Sequence, residues 1–338
     1  MSDERILQAH GGGGELTRRL LAEHILPHLG NDLLNPLTDG AMLARPAGRI
    51  CFTTDAFVVA PLVFPGGDIG RLAVCGTVND LAMMGGAPLA LSLAMVLEEG
   101  LPIATLDAVL RSVAAAAREA GVAVATGDTK VIERGGAGEP GMTITTAGVG
   151  AVADDVDLRA GRVAPGDVVI VSGRIAEHGL AVMSAREGLT FETELLSDVA
   201  PLNGLVADLL AAEVDVKFLR DPTRGGVAGL LADLAEDAGC TIEAEEEAIP
   251  ISPVALNTAE MLGLDPLTVA NEGKLIAVVP SADAEKALAA LRANALGRHA
   301  AVIGRCTDAA PPLVELLTRV GGRRVVHRPY GEELPRIC

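Results

Sequence analysis

Strand-like and helix-like periodicities alternate twice along this chain, on either side of a Gly/Pro/Asp-rich passage at 154–167. That repeat restricts the fold more than any single motif. Segments of period 2 need a sheet face to bury, and segments of period 3.6 need something flat to pack on. Two successive α+β domains of similar size satisfy both demands, with a boundary near residue 160.

In the first half, 49–59 (RICFTTDAFVV) reads as a strand, 70–84 as a helix and 88–98 as a second strand. The segment 102–120 predicts a helix. Pro102 stands at its start, Leu106, Val109, Leu110, Val113 and Ala117 form one stripe, and Gly121 ends it. Strands follow at 122–125 and 142–152. In the second half, strands are expected at 168–172, 216–219, 241–245, 275–279 and 300–304. Helices fall between them, around 176–186, 202–212, 225–238, 253–262 and 282–294. The expected organisation is a Gly-rich N-terminal segment (1–38), a first domain (39–158), a second domain (159–310) and a C-terminal segment (311–338).

The 338 residues suffice for two cores. The apolar content is Ala, Val and Leu, because aromatics are only 2% and Trp is absent. The longest apolar stretches, such as 87–97 (APLALSLAMVL), are too short to span a bilayer, and MSDERILQAH lacks the pattern of a signal peptide. A soluble cytoplasmic protein without membrane partners is expected. With 27 Lys+Arg against 45 Asp+Glu, the net charge of −18 repels phosphate backbones, so nucleic acid is not an expected partner. A nucleotide can still be held locally through a divalent cation.

Four acidic residues lie among Thr, Asn and Gly: Asp55 (FTTD), Asp80 (TVNDLAMMGG), Asp128 (TGDTK) and Asp221 (LRDPTRGG). Carboxylates without Cys or His partners suit a hard cation, above all Mg²⁺, which usually arrives with substrate phosphates. Taken singly, each Asp is more simply a helix or turn cap, and Asp221 fits the start of the 225–238 helix. Glycine adds a second signal. His10 precedes Gly11, Gly12, Gly13 and Gly14, whose bare amides can wrap a polyphosphate, and Thr223, Arg224 and Gly225 open a helix whose N-terminus favours anions. Lysine adds a third, since Lys130 and Lys274 are two of only four lysines and both lie in Gly/acid-rich motifs, GDTK and NEGK. Lys130 is read either as a point charge for a phosphate or carbonyl, or as a surface lysine. Glu272 precedes an apolar strand, so burial can turn it into a base; alternatively it only pairs with Lys274. The six histidines show no ligand spacing. Of the five cysteines, Cys51, Cys75, Cys240 and Cys306 sit in apolar runs as small core residues, whereas Cys338 ends the chain in PRIC.

Taken together, HGGGG, FTTDAFVVAPLVFPGGDIG, CGTVNDLAMMGGAP, EEGLP, TGDTKVIERG, LRDPTRGG, ANEGKL and the terminal PRIC resemble the HypE family of hydrogenase maturation proteins, in family order over nearly the whole chain. The Asp motifs are shared with the wider aminoimidazole ribonucleotide synthetase-like (PurM-like) superfamily, and PRIC narrows the resemblance to HypE. It implies the two-domain PurM-like α+β fold, a homodimer formed through the N-terminal domains, and ATP with Mg²⁺ between the halves. It implies further that a HypF-type carbamoyltransferase loads a carbamoyl group on Cys338. ATP-dependent dehydration then gives a thiocyanate, and the cyanide passes to iron on a HypC–HypD complex for a [NiFe]-hydrogenase. On this resemblance Cys338, Lys130 and Glu272 are catalytic, Lys130 supporting the carbonyl oxygen and Glu272 taking protons. His10, Gly11–Gly13, Asp55, Asp80, Asp128, Thr129, Asp221, Thr223, Arg224 and Gly225 bind the nucleotide, and the four Asp hold the metal. The eleven-residue stretch 328–338 then acts as an arm, stiffened by Pro329 and Pro335, with Arg336 offsetting the terminal carboxylate.

Two other readings stand beside this one. The chain is an enzyme that phosphorylates a small diffusible substrate, with Cys338 incidental, or it is a non-catalytic carrier that accepts a group on Cys338 and hands it on.

Overall fold

The computed structural model describes residues 5–44, 46–136, 138–189, 195–331 and 337. Cys338, Pro335 and Arg336 lie outside the described residues. The first half begins with α1 (Glu15–Leu20) and α2 (Leu26–Leu29), followed by β1 (Arg49–Phe57), β2 (Val63–Phe64), β3 (Gly67–Asp68) and α3 (Ile69–Met83). Next come β4 (Gly86–Glu98), α4 (Ile103–Ala120), β5 (Val124–Ile132) and β6 (Met142–Val152). Four of these strands form one sheet in the order β1-β6-β4-β5.

Burial alternates strictly along β6, as its period-2 sequence demands. One face of the sheet packs against α3 and α4. The stripe Leu106, Val109, Leu110, Val113 and Ala117 of α4 is buried there, and Gly121 ends the helix with φ +69°. The other face is open, with Ile50 and Phe52 of β1 61% and 69% exposed.

The second half contains β7 (Asp167–Val171), α5 (Glu177–Arg186), α6 (Asn203–Ala211), β8 (Phe218–Arg220), α7 (Gly226–Ala238) and β9 (Thr241–Glu245). It continues with α8 (Pro253–Leu262), β10 (Ile276–Pro280), α9 (Ala284–Ala293), β11 (Ala301–Thr307), β12 (Val314–Leu317) and β13 (Arg323–Val326). Its seven-stranded sheet runs β13-β12-β9-β11-β7-β10-β8. Ile276, Ala277, Val278 and Val279 are all buried, because β10 lies between β7 and β8 and is covered on both faces.

Two expectations change. The strand read at 122–125 continues through the polar GDTK run to Ile132, as an edge strand without a covered second face allows. The segment after 310, read as one apolar stretch and a loop, adds a hairpin to the second sheet, with β12 parallel to β9. It is part of the second domain's sheet and not an appendage to it.

Candidate active site

Residues of both halves meet in a cleft of ≈ 150 Å³, lined by Asp55, Gly76, Asp80, Asp221, Arg224 and Glu272 among others. The first half supplies β1 and α3. Asp55 points from β1 toward α3, where Gly76 makes room for the neighbouring Phe57 ring. A Cβ on Gly76 would stand 2.8 Å from the Phe57 ring and 3.7 Å from Asp55 Oδ2. One turn later Asp80 takes a hydrogen bond from Thr53 Oγ1 at 2.7 Å. The second half supplies two loops, and Asn271 ties them together: its N–H and Nδ2 both donate to the Pro222 carbonyl, at 3.1 and 2.9 Å. Asp221 and Glu272 are therefore fixed relative to each other.

Glu272 is 2% exposed and held by its backbone on both sides. Its N–H donates to Asp198 Oδ1 at 3.0 Å, and its carbonyl accepts from Asn79 Nδ2 at 3.2 Å. Gly273 permits this course, since a Cβ there would lie 1.8 Å from the Asp198 carbonyl. Lys274 pairs with Asp198 at 3.1 Å, so the expected alternative, a Glu272–Lys274 pair, is not formed. Nor is Asp221 a cap: α7 starts from Gly225 in the left-handed region, with φ +78°.

The carboxylates oppose one another's ionisation. Burial, then Asp80, push the Asp221 carboxyl up to about 7. Burial, then Asp221, Asp198 and Asp55, hold Glu272 well above the carboxylate range, with Arg224 acting the other way. Asp55 is raised by burial and by Asp80. A crowded acidic wall with one nearby guanidinium favours an added cation or a proton. Among the described residues, no group of three or more His, Cys, Asp or Glu can hold a metal unaided. The donor set thus fits a hard cation that brings further ligands with it, as Mg²⁺ does on a nucleotide.

The other predicted residues lie elsewhere in the chain. Asp128, Thr129 and Lys130 are on β5, at the opposite edge of the first sheet from β1, about 14 Å away at ~4.8 Å per strand spacing. Register adds a second separation. Asp55 pairs with Thr146 and Thr146 with Leu93, on the covered face; Asp128 pairs with Ala94, Ala94 with Thr145 and Thr145 with Ala56, on the open face. Within one chain Asp128 cannot join Asp55, and convergence of all four Asp is not met. Lys130 Nζ is 3.4 Å from Asp128, both well exposed.

His10 and the glycine loop also follow β5. His10 Nδ1 accepts from the Leu7 N–H at 2.9 Å, and a Cβ on Gly11 would lie 2.6 Å from Val131 N. The N-terminal segment therefore does not cover the acidic cleft of its own chain. A second cavity of ≈ 220 Å³ lies here, with Leu21, Ile25, Leu34 and Met95 on its walls and Asp128 and Thr129 also lining it.

Ile337, the residue before Cys338, is 5% exposed and part of the core. At the other end of the tail, Arg328 pairs with Asp233 at 2.6 Å and with Glu236 at 3.1 Å. Pro329 packs 3.7 Å from where a Cβ on Gly225 would stand. Sequence reasoning missed Gly76, Asn79 and Asp198. A buried Asn within an apolar helix was a readable signal for Asn79; Asp198 stands in no motif.

Two domains, each with helices on a sheet and an acidic cleft between them, define the class: the AIR synthase related proteins. The family of their N-terminal domain matches residues 38–152, and that of their C-terminal domain matches 164–312. The chain belongs within that class to the HypE family. The protein named "Carbamoyl dehydratase HypE" of Rhizobium leguminosarum bv. viciae is 48% identical, over 100% of this chain and 96% of its own. The crystal structure of the hydrogenase maturation protein HypE in complex with ATP superposes with TM-score 0.93 at 43% identity, covering 98% of this chain and 99% of that one. A chain from the crystal structure of a HypE–HypF complex superposes with TM-score 0.79 at 43% identity, covering 94% and 100%.

Proposed function

We propose that this chain is an ATP-dependent carbamoyl dehydratase whose substrate is an S-carbamoyl group on its own Cys338. In balance, R–S–C(O)NH₂ and ATP give R–S–C≡N, ADP, phosphate and a proton. The observation that carries this reading is Glu272. It is buried and held by its backbone in an acidic interdomain cleft, without a lysine partner, while the residue before Cys338 is buried in the core of the same chain.

An amide oxygen is a poor leaving group, so the carbamoyl oxygen first takes a phosphoryl group and ADP departs. The C–O bond then breaks as the nitrogen loses its protons and the C≡N bond forms. Glu272 takes one proton from that nitrogen and the departing phosphate takes the other; the raised pKa of Glu272 suits a base that must pass its proton on. Arg224 meets the developing charge on the phosphate oxygens, and Thr223 and Gly225 contribute the α7 N-terminus. Asp55, Asp80 and Asp221 would hold Mg²⁺, which supplies charge neutralisation for the triphosphate.

Asp128, Thr129, Lys130 and the His10–Gly13 loop serve this site from a second copy. The open face of the first sheet, with Ile50 and Phe52, is the dimer surface that brings β5 of one copy toward the cleft of the other. There Asp128 would join Asp55, Asp80 and Asp221 in holding Mg²⁺, Lys130 would support the carbonyl oxygen, and the glycine amides would close over the phosphates. A HypF-type carbamoyltransferase loads Cys338, and a HypC–HypD complex takes the cyanide for a [NiFe]-hydrogenase iron site, in the cytoplasm. The HypE–HypF crystal structure of a 43% identical chain supports the first partner. No helix among the described residues is long and apolar enough to cross a membrane.

The test is the intact mass of the chain and of its C-terminal peptide, after incubation with a HypF-type carbamoyltransferase, its substrates and Mg-ATP. A carbamoyl gain on Cys338 followed by loss of one water is expected. An unmodified Cys338, with the partner shown active, overturns the reading and returns the chain to a kinase of a diffusible substrate.

A further inference from the structure

His178 opens α5 and takes no part in the chemistry above. It is 0% exposed, and both ring nitrogens are engaged: Nδ1 lies 2.8 Å from Ser197 Oγ, and Nε2 lies 2.7 Å from the Ile337 carbonyl oxygen. The tautomer follows from the partners. A carbonyl only accepts, so Nε2 carries the hydrogen. Ser197 Oγ already accepts from the Val199 N–H at 3.1 Å, which leaves its own hydrogen for Nδ1. The imidazole is therefore neutral and oriented from both sides, with Phe64 packed edge-on at 5.5 Å between ring centroids. Burial lowers its pKa in the same direction.

This histidine is also joined to the Glu272 loop on two sides. Ser197 precedes Asp198, whose Oδ1 receives the Glu272 N–H at 3.0 Å. On the other side, Ala176 N–H donates to Asn271 Oδ1 at 2.7 Å, and Gly179 N–H to the Ala270 carbonyl at 3.1 Å. A buried histidine is usually bonded within its own fold. This one spends its outward-facing donor on the penultimate residue of the chain, 159 positions away.

We infer that His178 is a latch for the C-terminal tail: a positioning residue that grips the Ile337 backbone and fixes the last residue relative to Glu272. It reads the backbone through the carbonyl, while the apolar surroundings of Ile337 read the side chain. The inference rests on the proposed role of Cys338 as carrier, because a tail that carried nothing would need no fixed position.

The latch is tested on the full-length protein with neither ATP nor partner, by the rate at which Cys338 is alkylated by N-ethylmaleimide. The rate is read from the C-terminal peptide by mass spectrometry. His178→Ala is expected to raise it on the order of tenfold, the effect of losing one net hydrogen bond. His178→Gln keeps an amide donor and is expected to restore part of the protection, which a purely structural loss would not. Ile337→Asp acts at the other end of the contact, so it remains informative if His178→Ala fails to fold. It is expected to raise the rate at least as much, and the double variant no further. A rate unmoved by His178→Ala, or moved equally by His178→Gln and His178→Ala, overturns the latch; so does a rate unmoved by Ile337→Asp. None of these readings uses the dehydration reaction. A protected Cys338 that is never dehydrated would overturn the proposed function alone.

Discussion

Asp198 stands between Lys274 and Glu272, giving one carboxylate oxygen to each: Oδ2 lies 3.1 Å from Lys274 Nζ, and Oδ1 accepts the Glu272 N–H at 3.0 Å. The lysine nearest Glu272 in sequence is thus occupied in holding the loop, and the Glu272 side chain is left without a lysine partner. Lys274 and Asp198 side chains are 10% and 1% exposed. Removing one partner strands a buried charge, so Lys274→Met should destabilise the fold by about 3–5 kcal/mol. The Lys274→Met/Asp198→Leu double variant, which leaves no lone charge, should cost less than Lys274→Met alone. Urea denaturation of the three proteins checks this.

Glu272→Gln keeps the shape and the backbone hydrogen bonds but removes the proton acceptor. Single-turnover dehydration of carbamoylated protein should fall by about 10²–10⁴-fold, with ATP affinity largely retained. Quench-flow mass measurement of the C-terminal peptide, beside a nucleotide-binding titration, separates the two.

The Asp221 carboxyl is raised from 3.8 to about 7 in the folded chain. Between those values the folded state binds a proton that the unfolded state does not, so this group's contribution to stability falls as pH rises from about 4 to 7. In the presence of a chelator, Asp221→Asn should remove that part of the slope and be relatively more stable at pH 8 than at pH 4. Thermal unfolding across pH, with and without Mg²⁺, reads it; the metal should restore stability to the parent but not to the variant.

Gly76→Ala places a methyl 2.8 Å from the Phe57 ring on the floor of the cleft. Overpacking of this kind costs about 1–3 kcal/mol. The ring's displacement should also disturb Asp55, so Mg-ATP binding should weaken along with the melting temperature.

Phe52→Asp puts a charge on the open sheet face, on the edge strand β1, where Phe52 is 69% exposed. Sedimentation should show a folded monomer without ATP turnover. Mixing Lys130→Ala with Glu272→Gln protein gives a sharper test. If each site takes Lys130 from one copy and Glu272 from the other, mixed dimers hold one intact site and activity returns; sites built within one chain would stay dead.

Helices were the most legible part of the sequence. The α4 stripe and the glycine after it carry period and terminus together, and α8 was expected where it is found, at Pro253–Leu262. Edges were less legible. The polar half of β5 lacks the apolar alternation that marks a strand, because at this sheet edge none of residues 126–132 is buried. The acidic motifs pointed toward a cation site, and of their residues Asp55, Asp80 and Asp221 line one cleft with Glu272. The separation of Asp128 from them could not be read, since it depends on strand order and on which side of a pleat each residue falls. Asp198 was invisible for another reason: it meets Glu272 across 74 positions of chain, from a loop with no motif of its own.

Asn79 belongs by sequence to the first domain, but each of its side-chain hydrogen bonds among the described residues goes to the second: Nδ2 donates to the Ala200 and Glu272 carbonyls at 3.1 and 3.2 Å, and Oδ1 accepts from the Leu202 N–H at 2.7 Å. A first domain expressed by itself would leave that amide without its partners on an apolar helix, and a second domain alone would lose the brace behind Glu272. The passage near residue 155 is therefore a seam and not a hinge. Two halves nicked apart there should travel as one particle, and halves made separately should be insoluble until they are folded together.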